Sequence, residues 1–205
     1  MEAVARDRYD YRAAPPGVKP TELLALARRA PPNSLDRILL AAAAFAAVVR
    51  APLVLVGGAA QMIHTGLERS TDIDMVGPVD SRDRTALARE GFVRDGRHWV
   101  WGSGAHEIAI EVPGSTLLGE DPPELVSVEG RVVRIIAVND LMLDRLIQAT
   151  DGSTVTWDEA LALAIAARDR IDWTLIETRC RAAQTDDAFS QNLPAVLDRL
   201  THRLS

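Results

Sequence analysis

Short apolar runs separated by glycine and polar residues divide the middle of the chain into alternating strands and helices. The run at 53–56 has strand length and β-branched residues, and the helix formers at 59–64 end at Gly66. A second strand is predicted over 72–76, and strict alternation of apolar and polar residues predicts a third over 106–112. This order of elements predicts an α/β fold.

Further helices and two hairpins are predicted around these strands. The helices cover 21–29, 35–49, 80–90, 141–149, a segment from Trp157, 172–183 and about 186–200, and the hairpin turns lie at 95–96 and 129–130. Asn139 and Asp140 are predicted to cap the helix at 141–149. We expect an N-terminal arm and helices over 1–50, a mixed β-sheet flanked by helices over 51–137, and a C-terminal helical bundle over 138–205.

Composition narrows the class of protein. The 205 residues are 47% hydrophobic and 25% charged, which is ordinary for a soluble globular chain. The net charge of −6 gives no global attraction to nucleic acid, so RNA binding would need a local basic patch. The single cysteine, Cys180, excludes an internal disulfide, the N-terminus does not resemble a signal peptide, and the apolar run at 38–49 is too short for a bilayer. We expect a cytoplasmic protein without membrane contact.

Two aspartates stand on the second predicted strand. Asp72 and Asp74 are two residues apart, so their side chains point to the same side, while Ile73 and Met75 point to the core. Neighbouring like charges repel unless a positive group lies between them. Mg²⁺, or Mn²⁺ in its place, binds carboxylate oxygens together with substrate phosphates. The pair therefore predicts a metal site.

The glycines before the helix predict a phosphate site. Gly57 and Gly58 lack Cβ atoms, so backbone N–H groups and a helix N-terminus can approach an anion closely. Taken alone, a Gly-Gly pair is more often a turn, and Asp-x-Asp a solvated strand end. In this order, flanked by apolar runs, the two features favour one site for a phosphate and a metal.

The combined motif resembles the signature of the nucleotidyltransferase superfamily. There, a hydrophobic residue and Gly-Gly or Gly-Ser precede a helix, and an Asp-hydrophobic-Asp strand follows. The corresponding segments here are Val56-Gly57-Gly58 and Asp72-Ile73-Asp74, and Arg69-Ser70-Thr71 resembles the lead-in of the abortive-infection toxin branch. The resemblance covers about residues 50–180. It implies that Asp72 and Asp74 hold the metal and that the glycines, Arg69, Ser70 and Thr71 bind the nucleotide.

The resemblance also implies a third carboxylate on a neighbouring strand. Glu111 fits this place, and Glu107 on the same predicted face competes with it. Glu111 is favoured because Glu111-Val112-Pro113-Gly114-Ser115 and Leu118-Gly119 resemble the Glu-Phe-Pro and Leu-Gly segments of an uncharacterised bacterial group with this fold. Glu111 would complete the metal site or act as the catalytic base.

One further arginine is implied by the same bacterial group. Leu143-Asp144-Arg145-Leu146 resembles its Lys-Asp-Arg-Leu helix, with leucine in place of the lysine. Arg145 would then point at the nucleotide phosphates or pair with Asp144 or Asp158. The simpler interpretation is an ordinary surface ion pair.

The resemblance implies metal-dependent transfer of a nucleoside monophosphate from a nucleoside triphosphate to an RNA or protein acceptor, and the sequence does not choose between the acceptors. The alternative is a catalytically silent nucleotide- or partner-binding module of a toxin–antitoxin or defence system. A dinucleotide-binding Rossmann fold is disfavoured, because Gly57-Gly58 lacks the further glycine spacing of that motif.

Overall fold

The computed structural model describes residues 17–67, 72–117, 119–183 and 192–204. These residues form two compact units. The first, the sheet unit, contains the described residues of 17–63, 67–117 and 122–136. The second, the helical unit, contains those of 64–66, 119–121 and 137–204. The two N-terminal helices thus belong to the same unit as the sheet.

The sheet unit is built on a mixed β-sheet of seven strands. The strands are β1 (Val54–Val56), β2 (Ile73–Val76), β3 (Val93–Asp95), β4 (His98–Trp101), β5 (Ile108–Glu111), β6 (Glu124–Val128) and β7 (Arg131–Ile135). Their order in the sheet is β3-β4-β5-β2-β1-β7-β6. β2 pairs with β5, and β1 with β7, in parallel, whereas the other neighbours are antiparallel. The predicted α/β class, the mixed sheet and both hairpins are confirmed.

Most helices follow the predicted pattern with small shifts at their ends, whereas the last one ends at Leu204 instead of about 200 and its predicted start at about 186 lies outside the described residues. They are α1 (Pro20–Arg29), α2 (Leu35–Val48), α3 (Gly57–Thr65), α4 (Ser81–Arg89), α5 (Val138–Gln148), α6 (Thr154–Ala166), α7 (Trp173–Ala183) and α8 (Leu193–Leu204). Ser34 caps α2 and Asp80 caps α4, each accepting backbone N–H groups of the first turn. None of the helices described has the length and apolarity needed to cross a bilayer.

One face of the sheet forms the core of the sheet unit. Leu55 is in register with Met75 and Ile135, and all three are fully buried. Helix α2 packs against β2, β6 and β7, and its buried residues include four alanines and Phe45. The Phe45 ring meets Phe92 edge to face at 5.3 Å between centroids. The alternation of the strands therefore leaves the opposite face for polar residues.

Two carboxylates and one arginine bind the helical unit together. The Arg179 guanidinium of α7 lies 2.5 Å from Asp121 Oδ1 and 2.8 Å from Asp140 Oδ1. The backbone N–H groups of Glu120 and Asp121 also donate to Asp140. A Cβ at Gly119 would collide with the Asp140 carboxyl group, so this close approach requires glycine. We call Asp121, Asp140 and Arg179 the Arg179 cluster.

The predicted capping role of Asn139 and Asp140 is wrong. Helix α5 begins earlier, at Val138, with Ala137 as the N-cap residue. The Asn139 side chain donates to Asp121 Oδ2 at 2.9 Å and accepts from the backbone N–H of Asp172 at 2.9 Å. Residues of the cap-forming type are used here for tertiary hydrogen bonds, because their partners lie elsewhere in the helical unit.

Candidate functional site

Asp74 and Glu111 lie side by side on the polar face of the sheet. They are register partners on the parallel strands β2 and β5, where neighbouring strands are about 4.8 Å apart. Register extends the row to Val56 on one side of Asp74 and to His98 on the other side of Glu111. Asp72 directly precedes β2 and is exposed. The sheet therefore brings a carboxylate of the Asp-x-Asp motif next to the carboxylate on the neighbouring strand.

The first glycine of the Gly-Gly pair lies against Asp74. Gly57 has φ of +64°, which favours glycine, and a Cβ there would lie 2.6 Å from Asp74 Oδ2. Gly57 and Gly58 are the first two residues of α3, so the N–H groups of the first turn lie next to this carboxylate. A helix N-terminus carries partial positive charge. The strand–glycine–helix motif and the Asp-x-Asp motif thus lie next to each other in the fold.

Glu111 has two basic neighbours that the sequence did not indicate. Its Oε2 atom lies 3.2 Å from Arg97 Nε and 3.4 Å from His98 Nε2. Both residues come from the β3–β4 hairpin, whose turn the sequence predicts but whose place beside β5 it does not. The Arg97 side chain is 75% exposed, so this ion pair is weak and can exchange with water or a ligand.

Glu107, the competing carboxylate, is placed differently. It precedes β5, and its side chain is exposed. Its backbone carbonyl accepts a hydrogen bond from Arg37 at 2.9 Å. The alternating pattern predicts a strand over 106–112, but β5 covers only Ile108–Glu111. It begins later because residues 104–106 form a 3-10 turn that changes the direction of the chain before Ile108.

The donor atoms at the site suit a hard cation. Within the described ranges, no group of three or more His, Cys, Asp or Glu side chains is arranged to hold a metal ion. Asp74 and Glu111 offer two carboxylates in register, and Asp72 stands just before β2. Mg²⁺ is commonly bound through one or two carboxylates together with substrate phosphates and water. These residues fit that mode, in which the phosphate supplies part of the coordination.

Arg145 is buried in the helical unit, with 3% of its surface exposed. Its Nη1 atom donates to Gln148 Oε1 at 2.7 Å and lies 3.5 Å from Asp144 Oδ2 and 3.6 Å from Glu159 Oε2. The predicted pairing with Asp144 is confirmed, and Glu159 is the second acidic partner in place of Asp158. The pair is not an ordinary surface pair, because Arg145 is buried. Desolvation raises the pKa of Asp144. A contact of Arg145 with nucleotide phosphates stays a prediction.

Three predicted nucleotide-binding residues, Arg69, Ser70 and Thr71, lie outside the described residues.

On α3, His64 is 6% exposed and its Nδ1 atom lies 2.9 Å from Arg170 Nη2. A guanidinium can only donate, so Nδ1 accepts and the imidazole proton is on Nε2. His64 is thus a packed residue of the helical unit with a defined tautomer.

Comparison with solved structures identifies the fold. The structure of an antigenic nucleotidyltransferase-like protein from Paracoccidioides brasiliensis matches with a TM-score of 0.50 and 15% identity, covering 90% of this chain and 89% of that chain. The solution structure of the antibiotic-resistance factor ANT(2'')-Ia matches with a TM-score of 0.40 and 16% identity, covering 91% of this chain and 96% of that chain. The crystal structure of ANT(2'')-Ia in complex with adenylyl-2''-tobramycin matches with a TM-score of 0.36 and 16% identity, covering 90% of this chain and 99% of that chain.

Of these structures, only the Paracoccidioides brasiliensis structure is similar enough to support a conclusion, and at 15% identity the similarity concerns the fold alone. The chain has a nucleotidyltransferase-like fold, as its sequence motif predicted. No protein-family profile and no curated protein sequence matches the chain.

Proposed function

We propose that this protein is a metal-dependent nucleotidyltransferase, which transfers a nucleoside monophosphate from a nucleoside triphosphate to an RNA or protein acceptor. One observation carries the proposal. The Asp74 carboxylate lies between the first turn of α3 and the register-paired Glu111, so a phosphate bound at that turn would lie next to a cation bound by the carboxylates. The nucleotidyltransferase-like fold supports it.

The reaction needs a negatively charged triphosphate beside carboxylates. A bound Mg²⁺ or Mn²⁺ offsets this repulsion and the charge that develops at the α-phosphorus. Asp72 and Asp74, with Glu111, are the residues that would hold it. The N–H groups at Gly57 and Gly58 would seat the β- and γ-phosphates. The acceptor hydroxyl oxygen forms the new bond to the α-phosphorus, the bond to the bridging oxygen breaks, and pyrophosphate leaves.

Glu111 has two possible roles in this scheme, as a metal ligand or as the base that takes the acceptor proton. Both require that its carboxylate exchanges the contact with Arg97 for a ligand or a hydroxyl group. The large exposure of Arg97 makes this exchange inexpensive. Arg97 would then be free to turn toward a phosphate oxygen, for which its planar fork is suited.

The acceptor class rests on the resemblance of Arg69-Ser70-Thr71 to the abortive-infection toxin branch. An RNA end or a protein side chain follows from this resemblance, and so does a toxin-like role with a partner protein in the cytoplasm. With a net charge of −6, a long RNA would be held only through a local patch of arginines.

Label transfer tests the proposal directly. Purified protein is incubated with each α-labelled nucleoside triphosphate, Mg²⁺ or Mn²⁺, and either total RNA or lysate protein, and the matched γ-labelled triphosphate is the control. We expect label in one acceptor fraction from the α-position alone, and none with chelator. Absence of transfer from all four triphosphates to both fractions, with either metal, would overturn the catalytic proposal.

A binding module without catalysis is the second candidate. The contact of Glu111 with Arg97 favours it, because this ion pair offsets part of the charge of the third carboxylate. This candidate predicts saturable binding of a triphosphate by calorimetry, without transfer of label to either acceptor.

A further inference from the structure

A small cavity in the sheet unit contains a buried arginine. The cavity has a volume of about 180 Å³ and lies where α2, β2 and β5 begin. Its apolar wall includes Ile38, Ile73 and Ile108, and its charged lining residues are Arg37 of α2 and Glu107. The Glu107 side chain is exposed and forms no ion pair with Arg37. This volume is below the ~300 Å³ of the smallest typical ligand pockets, so it suits one chemical group and not a whole nucleotide.

Among the residues that the structure describes, Arg37 has no counter-ion. The residue is 8% exposed, so more than nine-tenths of it is buried. Its Nη2 atom donates to the backbone carbonyl of Glu107 at 2.9 Å. Throughout the described ranges, this is its one side-chain hydrogen bond, and no carboxylate lies within the 4.0 Å of an ion pair. Arg37 thus differs from the buried Arg145 and Arg179, which both have acidic partners.

Such an arginine is costly for a fold to retain. A guanidinium has five N–H donors, and burying its charge without an opposite charge lowers stability. An apolar residue would suit this buried position of α2, as Ile38 and Leu39 beside it show. The Arg37 donors that do not reach Glu107 are accessible to water, and the cavity that Arg37 lines has space for an acceptor group. An oxyanion there would supply an opposite charge and would replace water as the acceptor.

We propose that the cavity at Arg37 is a binding site for a single oxyanion group, a carboxylate or a phosphoryl group. The site requires no metal and is independent of nucleotidyl transfer, so it stands or fails separately from the proposed function. Its wall includes Ile73, which lies between Asp72 and Asp74 in the sequence but points to the opposite face of the sheet. The oxyanion site is therefore separate from the row of Asp74 and Glu111.

The test compares the wild type with Arg37→Met, Arg37→Gln and Arg37→Lys. Arg82→Met is the matched control, because Arg82 is exposed on α4 and its removal changes the net charge equally. The melting temperature and the heat of binding are measured during titration with inorganic phosphate or acetate, with chloride at the same ionic strength as reference. Arg37→Gln keeps a donor for the Glu107 carbonyl, so it serves if the methionine variant does not fold.

We expect saturable binding of phosphate, acetate or both to the wild type and to Arg82→Met. Binding by the Met and Gln variants should be weaker by about tenfold or more, and Arg37→Lys should restore part of it. Response to phosphate alone assigns a phosphoryl group, and response to acetate alone assigns a carboxylate. No saturable response to either anion, or equal binding by wild type and the neutral variants, would overturn the proposal.

Discussion

The Arg179 cluster and the row of Asp74 and Glu111 both bring carboxylates next to arginine, but the arginine is buried in the cluster and exposed beside the row. In the cluster, the arginine side chain is 12% exposed and bridges two carboxylates, of which Asp140 is 1% exposed. All three groups come from segments fixed by further hydrogen bonds. A ligand could enter only by breaking these contacts, so the cluster stabilises the helical unit.

In the sheet unit, the basic partners of Glu111 are exposed to solvent. Glu111 is contacted by Arg97, which is 75% exposed, and by His98, which is 42% exposed. An exposed ion pair contributes little to stability and exchanges readily. A carboxylate pair therefore indicates a ligand site when its basic partners are exposed, and a structural role when they are buried.

Removal of Arg179 should have the largest effect on stability. Arg179→Met leaves Asp121 and Asp140 without their shared cation, and loss of one partner from a buried ionic group costs about 3–5 kcal/mol. Urea unfolding followed by circular dichroism measures the change. Arg181→Met is the matched control, because Arg181 lies on the same helix in an exposed pair with Glu177 and should cost well under about 1 kcal/mol.

Cys180 provides a second measurement of the same variant. Burial raises the pKa of its thiol to about 11, so the folded protein should react slowly with a thiol reagent at neutral pH. Arg179→Met should accelerate this reaction by opening the helical unit. Equal stability and equal thiol reactivity in the two arginine variants would contradict the assigned role of the cluster.

Replacement of Asp74 should remove function without unfolding. Asp74→Asn is expected to lower label transfer by about 10²–10³-fold, the range for loss of one preorganised electrostatic group. Mg²⁺ or Mn²⁺ should raise the melting temperature of the wild type, and the variant should lose most of that rise. Asp95→Asn on the exposed strand β3 is the control. An equal metal response in all three proteins would exclude Asp74 as a ligand.

Arg97→Ala should strengthen cation binding at the site, the opposite of the effect expected for Asp74→Asn. Freed from its exposed partner, Glu111 should favour a cation more strongly, and we expect Mg²⁺ affinity to rise by at most about fivefold. Calorimetric titration measures the change. Arg94→Ala is the control, because Arg94 lies over the Trp99 ring and donates to Gly96 without contacting Glu111. A similar rise in both variants would show a general effect of charge.

The pH dependence of stability should show opposite effects of the two carboxylates in the Arg179 cluster. Burial alone would raise the pKa of Asp121, but hydrogen bonds from Asn139 and Arg179 outweigh it and lower the pKa. Burial raises the pKa of Asp140 despite the hydrogen bonds from the backbone at Glu120 and Asp121. The unfolded-state pKa of aspartate is about 3.9.

Asp121 therefore stabilises the fold above about pH 4, and this contribution is lost as the pH falls through its lower folded pKa. Asp140 contributes below about pH 4, and that contribution is lost as the pH rises through its higher folded pKa. Asp121→Asn should flatten the decline of stability below pH ~4, and Asp140→Asn should flatten the slope above it. Unfolding free energies between pH 3 and 7 test this, and identical profiles would contradict it.

The sequence predicts the α/β class and most elements because the local pattern already determines them. The Gly-Gly and Asp-x-Asp motifs lie within one strand–helix–strand segment, so their proximity follows from short connections. The contacts of Glu111 with Arg97 and His98 do not follow, because they depend on β4 pairing with β5. The Arg179 cluster joins residues 58 positions apart, and only the packing of the helical unit determines it.

Arg37 illustrates a signal that the sequence does contain. Ala41 and Phe45 follow it at intervals of four residues, so all three share one face of α2 and are buried together. A charged residue on the apolar face of a helix is unusual and could have been identified by this periodicity. That none of the described carboxylates is its counter-ion is visible only in the structure.

The order of the strands also affects how the chain is made. β1 needs β7 on one side, but Arg131 emerges from the ribosome about 75 residues after Val56, which corresponds to roughly 4–15 s of synthesis. During this interval the apolar edge formed by Val54 and Leu55 has no neighbouring strand to pair with. Such an edge favours pairing with other chains. We therefore expect fragments that end before β7 to aggregate, and slower synthesis to lengthen the period in which the nascent chain needs a chaperone.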